Sequence, residues 1–140
     1  MKSVFIFIVV LLIAIQFIPA KINNPKSDKS LEIKAPKEVM AIFKKSCYDC
    51  HSNEVKVPWY GSVAPASFFI KRHVNLGREW LNFSIWNRCT SKEKDKKLGQ
   101  IFKAITHAMP VPSYIKFHKD TKLSQKQIEL IQKWTGKIPY

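Results

Sequence analysis

The apolar positions change rhythm along this chain, and each change marks an element. Residues 1–20, MKSVFIFIVVLLIAIQFIPA, carry one lysine and then run apolar from Val4 to Ile18, broken only by Gln16. At the extreme N-terminus and followed by a polar stretch, such a run reads as a membrane anchor or an export signal rather than as a core helix. Ala20 could close a cleavable signal, but Phe17, Ile18 and Pro19 crowd the approach to it. The run is also a little short of the roughly 20 residues of a comfortable transmembrane span. A retained anchor is the reading taken, with a cleaved signal as the alternative. Residues 21–35, with Asn23-Asn24-Pro25 and alternating Lys, Ser and Asp, read as a polar linker with no fold of its own.

From Pro36 the spacing turns helical. Pro36 suits a first helical position, and Val39, Ile42, Phe43 and Ser46 form a stripe leading into Cys47 and Cys50, with His51 where that helix runs out. Pro58, Gly61 and Pro65 mark a loop, and the Trp59-Tyr60 pair inside it should be buried against a pocket wall. A second helix is expected from Pro65 to Asn75, with Gly77 ending or turning it. Trp80, Leu81, Phe83, Ile85 and Trp86 follow without clean period and are assigned to core packing. Thr90 and Glu93 form a capping box opening a third helix, with Leu98, Ile101, Phe102 and Ile105 as its buried stripe and Lys92, Lys94, Lys96 and Lys97 toward solvent. It should end near His107. Met109-Pro110-Val111-Pro112 must then extend or turn, because a residue before proline is pushed out of helical geometry. A last helix begins at Ser124, capped by Gln127 and stapled by Leu123 and Ile128, buries Ile128, Ile131 and Trp134, and stops at Gly136. No alternating run argues for a sheet and no repeat is visible. The expected class is all-α, with a single domain over 36–140.

Charge narrows the partners. The 140 residues hold 24 Lys+Arg against 10 Asp+Glu, a net charge of +14, and removing residues 1–20 costs only Lys2 and leaves +13. Such a field favours an acidic protein partner or an anionic membrane surface. The basic residues are scattered and accompany no helix-turn-helix, RNA-binding or finger pattern, so nucleic acid is set aside.

The chemistry concentrates at Cys47-Tyr48-Asp49-Cys50-His51. Cysteines three apart present both thiols on one side of a helical turn, and the adjoining histidine can meet the same planar object. C-x-x-C-H is the attachment signature of c-type haem, with two thioethers to the porphyrin and an imidazole on iron. A structural zinc site would want a second close ligand pair, a thioredoxin-like pair would want a strand before it, and a plain disulfide remains a third alternative. On the far side of iron, Met109 is the leading candidate, since a thioether on a proline-bracketed loop between helices is rigidly presented. His73 is its main rival, with His107 and His118 behind it. Arg78, beside Gly77, is a candidate partner for a haem propionate, with an ordinary surface arginine as the alternative. Cys89 is read as a buried thiol without chemistry. No catalytic triad order, phosphate loop or carboxylate pair accompanies these residues.

The stretches CYDCHSNEVKVPWYGSVAPASFF, HVNLGREWLNFSIW and MPVPSYIKFHKDTKLS together resemble the small haem-binding domain family of exported monohaem c-type cytochromes, over about residues 36–136. The family's HV-x-x-GR and LNFS-x-W stretches are matched by His73-Val74, Gly77-Arg78 and Leu81 to Trp86; Val55 stands where a threonine is expected, and Phe68 where a tryptophan is common. The resemblance implies a cytochrome c-like helical domain around one covalent haem c, with His51 and Met109 as axial ligands, and it fixes no reaction. The expected function is electron transfer with an acidic redox protein or a membrane respiratory component, on the periplasmic side of a bacterial inner membrane. A haem enzyme (a peroxidase or small-molecule reductase) and a haem-based sensor or accessory subunit are the alternatives.

Overall fold

Two reciprocal caps set the starts of helices that build the domain's core. Thr90 Oγ1 accepts the Glu93 N–H at 3.3 Å while the Glu93 carboxylate accepts the Thr90 N–H at 2.7 Å. Ser124 and Gln127 repeat the exchange at 3.3 and 2.9 Å. Each box satisfies backbone donors that a helix start leaves unpaired. The computed structural model describes residues 1–138, and every regular element among them is helical. They are α1 (Lys2–Ala14), α2 (Lys37–Ser46), α3 (Tyr48–His51), α4 (Ala66–Trp80), α5 (Ser91–His107), α6 (Pro112–Phe117) and α7 (Gln125–Thr135), joined by short 3-10 turns.

The apolar stripes meet as their spacing requires. Val39, Ile42 and Phe43 of α2, Ile101 and Ile105 of α5 and Ile131 of α7 share one core with Leu81, Phe83 and Trp86. At its centre the fully buried Phe43 stacks on Phe83 at 4.8 Å and meets Trp134 edge-on at 5.4 Å. Tyr48 also stacks on Phe83, at 5.4 Å, and donates its hydroxyl to Glu32 at 2.7 Å. Gly136 ends α7 at φ 65°, left-handed geometry that glycine adopts without steric cost.

Several expectations are corrected. The helix leading to the cysteines does not run through them: the backbone leaves helical geometry at Cys47 (φ −128°), and α3 is a separate single turn. Residues 21–35 are not a free tether. Ile33 is 2% exposed within the core, its N–H bonds the Phe83 carbonyl at 2.9 Å, and the Asn24 amide pairs with both backbone groups of Val55. Apolar residues so thinly spread leave no period for a sequence to show. Helix α4 runs through Gly77 instead of ending there, whereas Met109–Val111 stay out of helical geometry as expected and the short α6, not anticipated, begins at Pro112. Trp59, expected to be buried, is 82% exposed. Residues 1–14 are exposed throughout α1, and no helix among the described residues is long and apolar enough to cross a membrane.

Candidate functional site

A cavity of about 540 Å³ opens among α3, α4, α5 and the turn into α6, within the size range of cofactor sites. Cys47, Cys50 and His51 line it from the cysteine turn, and Met109, Pro110 and Val111 from the segment between α5 and α6. The lining is predominantly apolar, with Phe43 and Phe83 reaching in from the core.

His51 is held through its Nδ1. Its Nδ1 lies 2.9 Å from the Gly77 carbonyl and 3.0 Å from the Leu81 carbonyl. Carbonyls only accept, so the geometry assigns the proton to Nδ1 and leaves the Nε2 lone pair free, the arrangement that orients a metal-ligating histidine. Burial pushes its pKa below the ordinary histidine value against the opposing pull of the two carbonyls, which favours the neutral, ligand-competent ring.

That hold depends on a close approach between α3 and α4. A Cβ built on Gly77 would meet the Cys50 carbonyl oxygen at 2.5 Å, so glycine alone lets the cysteine turn sit against α4 with His51 beneath its carbonyl. Both cavity thiols are free. Burial pushes Cys47 up to about 12, with Cys50 adding to the effect, and Cys50 up to about 11, with Asp49 adding, so both are protonated at neutral pH.

The cysteine turn and α6 are tied by a hydrogen bond that sequence reasoning missed. Tyr114 of α6 donates its hydroxyl to Asp49 Oδ2 at 2.7 Å, joining the middle of the cysteine turn to the segment that follows Met109. Burial, and then the Asp49 carboxylate, raise the Tyr114 pKa and keep it a donor. Tyr114 stacks on His118 at 4.3 Å, and His118 Nε2 lies 2.8 Å from the Tyr60 hydroxyl. Neither Asp49 nor Tyr114 had a periodic or motif signal beyond its place inside CYDCH and MPVPSY.

The sixth-ligand candidates separate. Met109 and His73 both line the cavity, whereas His107 and His118 are not among the lining residues. Met109 is 37% exposed, its N–H bonds the Ala104 carbonyl at 2.8 Å, and its peptide bond to Pro110 is cis. Arg78 lies outside the lining. Its guanidinium donates to the Ser52 and Asn23 carbonyls and to Asn24 Oδ1 at 2.6 to 2.8 Å, so it ties chain segments together instead of facing the cavity. The lysine that does reach the cavity is Lys97, expected on the solvent side, whose Nζ bonds the Trp80 carbonyl at the lip beside Gln100. Trp59 and Tyr60 do not line it, and Trp80, assigned to the core, stands 56% exposed at its edge.

The donor set fits haem: two thiols, an imidazole with a free Nε2 and a thioether line one predominantly apolar cavity. Among the described residues no group of three or more His, Cys, Asp or Glu is placed to hold a bare metal ion. A family model described as a haem-binding domain matches residues 10–137. No curated protein and no solved structure matches the chain.

Proposed function

The chain belongs to the haem-binding domain family, and from that premise we propose that it is an exported, membrane-anchored monohaem c-type cytochrome whose work is electron transfer. The observation that carries the reading is His51, locked through Nδ1 with Nε2 free, in one cavity with Cys47, Cys50 and Met109. A haem bound here supplies the one-electron couple of its iron. Cys47 and Cys50 would hold it through thioethers in a cytochrome c-like arrangement, His51 and Met109 would ligate its iron, and a His/Met pair raises the reduction potential. With Arg78 engaged elsewhere, Lys97 and Gln100 are two lining residues with donors suited to its propionates. The net charge of +14 suits an acidic redox partner, and the apolar N-terminus suits attachment on the periplasmic side of a bacterial inner membrane.

One spectrum tests it. The oxidised protein should show the weak near-infrared sulfur-to-iron band, and Met109→Ala should abolish it; intact mass should show one haem retained under denaturation and lost in the Cys47→Ser/Cys50→Ser double variant. The second reading, a haem enzyme, draws on the exposure of Met109 and on His73 lining the same cavity, which together could give an open iron position beside an imidazole. A high-spin spectrum with ready cyanide binding would select it and sink the carrier.

A further inference from the structure

The segment joining α1 to the domain is fastened along its length. Gln16, the one polar residue in the apolar run, donates to the Ala64 carbonyl at 3.1 Å and accepts the Ala64 N–H at 3.0 Å. Lys71 of α4 donates to the Pro19 carbonyl at 3.4 Å. Near the end of α4, Arg78 donates to Asn23 and Asn24, and also to the Ser52 carbonyl at 2.7 Å, directly after His51. Residues 16–24 therefore follow α4 from its start to its last turn, and they lead from α1 to the residue beside the iron-binding histidine.

At the other end of this strap, α1 is apolar on every side and buries none of its side chains. A helix of that kind is stable inside a protein or in lipid, and no protein surrounds it here. Its 13 residues span about 20 Å, and the 3-10 turn Ile15–Phe17 adds about 6 Å, against roughly 30 Å of hydrocarbon. A short span draws its flanking residues into the interface. The flanks suit that. Phe17 and Ile18 are exposed, and so is Trp59, next to the groove that residues 18–22 share with Val57 and Gly61. Residues 1–27 and 55–78 contain no carboxylate, while Lys21, Lys26, Lys56, Lys71 and Arg72 fall within them. Aromatic residues at the headgroup level and cations against anionic lipid are the chemistry of a membrane-resting face.

We propose that residues 16–24 are a rigid coupling that seats the domain on an anionic lipid bilayer through this face and so fixes the tilt of the bound haem to the membrane. The inference rests on the reading above, that haem is bound and the N-terminal helix retained. Linear dichroism of the Soret band tests it, using the full haem-loaded chain in oriented bilayers of phosphatidylcholine with phosphatidylglycerol. The wild type should be strongly dichroic, more so than in phosphatidylcholine alone. Gln16→Ala/Asn24→Ala should lose that polarisation while remaining membrane-bound with an unchanged isotropic spectrum. A membrane-bound, haem-loaded wild type without dichroism, a double variant that keeps it in full, or equal order in both lipids overturns the proposal and leaves the electron carrier standing. A mature chain beginning at Lys21, or a protein that washes off the bilayer, overturns both the strap and the anchored form of that reading.

Discussion

Alanine at position 77 should destabilise this protein, although alanine is the better helix former. In an unhindered helix interior, Gly→Ala gains about 1 kcal/mol. At Gly77 the added Cβ would stand 2.5 Å from the Cys50 carbonyl oxygen and 3.1 Å from its carbon, both backbone atoms that no rotamer change can clear. Helices α3 and α4 must then separate by something on the order of half an ångström. Overpacking of this kind costs about 1–3 kcal/mol. The separation also lengthens the 2.9 Å bond from His51 Nδ1 to the Gly77 carbonyl, a contact worth about 1 kcal/mol. The net expectation is a loss of about 1–3 kcal/mol in urea unfolding followed by circular dichroism, with the haem site loosened as well. Gly99 supplies the control. It too lies inside a helix, but a Cβ there meets only the flexible Lys137 side chain at 3.9 Å, so Gly99→Ala should stabilise by about 0.5–1 kcal/mol. If both substitutions stabilise, the close approach of α3 to α4, and the account of how His51 is held, is wrong.

Other outcomes follow from single contacts. With Met109 on iron as proposed, Tyr114→Phe, which removes the bond to Asp49, should ease its displacement, with imidazole or cyanide binding about fivefold tighter for a loss of about 1 kcal/mol; unchanged affinity would show that this bond does not brace the loop. Arg78→Met should cost about 1–2 kcal/mol of stability, from its bonds to Ser52, Asn23 and Asn24, while leaving the reduction potential in place; a large shift in potential would return Arg78 to the propionates. Phe43→Ala empties the fully buried centre of the core and should cost about 3–5 kcal/mol by denaturant titration. Thr90→Ala breaks the cap of α5 and should cost about 1 kcal/mol, measured the same way.

The elements that could be read from the chain are those whose information is local. Val39, Ile42 and Phe43 announce their helix by spacing alone, and Thr90 with Glu93 and Ser124 with Gln127 announce where two more begin, because a capping box is a bargain between residues three apart. CYDCH is local in the same sense: its spacing places two thiols and an imidazole together whatever surrounds them. Where the sequence misled, the cause was a partner distant in the chain. Gly77 looks like a helix terminator until Cys50 is seen pressing against it, and Arg78 looks like an anion binder until three oxygens from two other segments claim its donors. Residues 21–35 look like a tether because Ile33 and Asn24 carry no rhythm, and partners distant in the chain, Phe83, Val55 and Arg78 among them, reveal them as bound.

The helical class, the capped starts of α5 and α7 and the cysteine-histidine motif are legible in the chain alone, since each follows from backbone geometry over a few residues. Packing between distant segments assigns which nitrogen of His51 is free, that Met109 and His73 share its cavity while His107 and His118 do not, that Lys97 and not Arg78 lines it, and that Tyr114 bonds Asp49 of the cysteine turn. Those outcomes depend on contacts between residues 17 to 65 positions apart, from Lys97 with Trp80 to Asp49 with Tyr114, and packing, rather than any local preference, brings such segments within hydrogen-bonding distance.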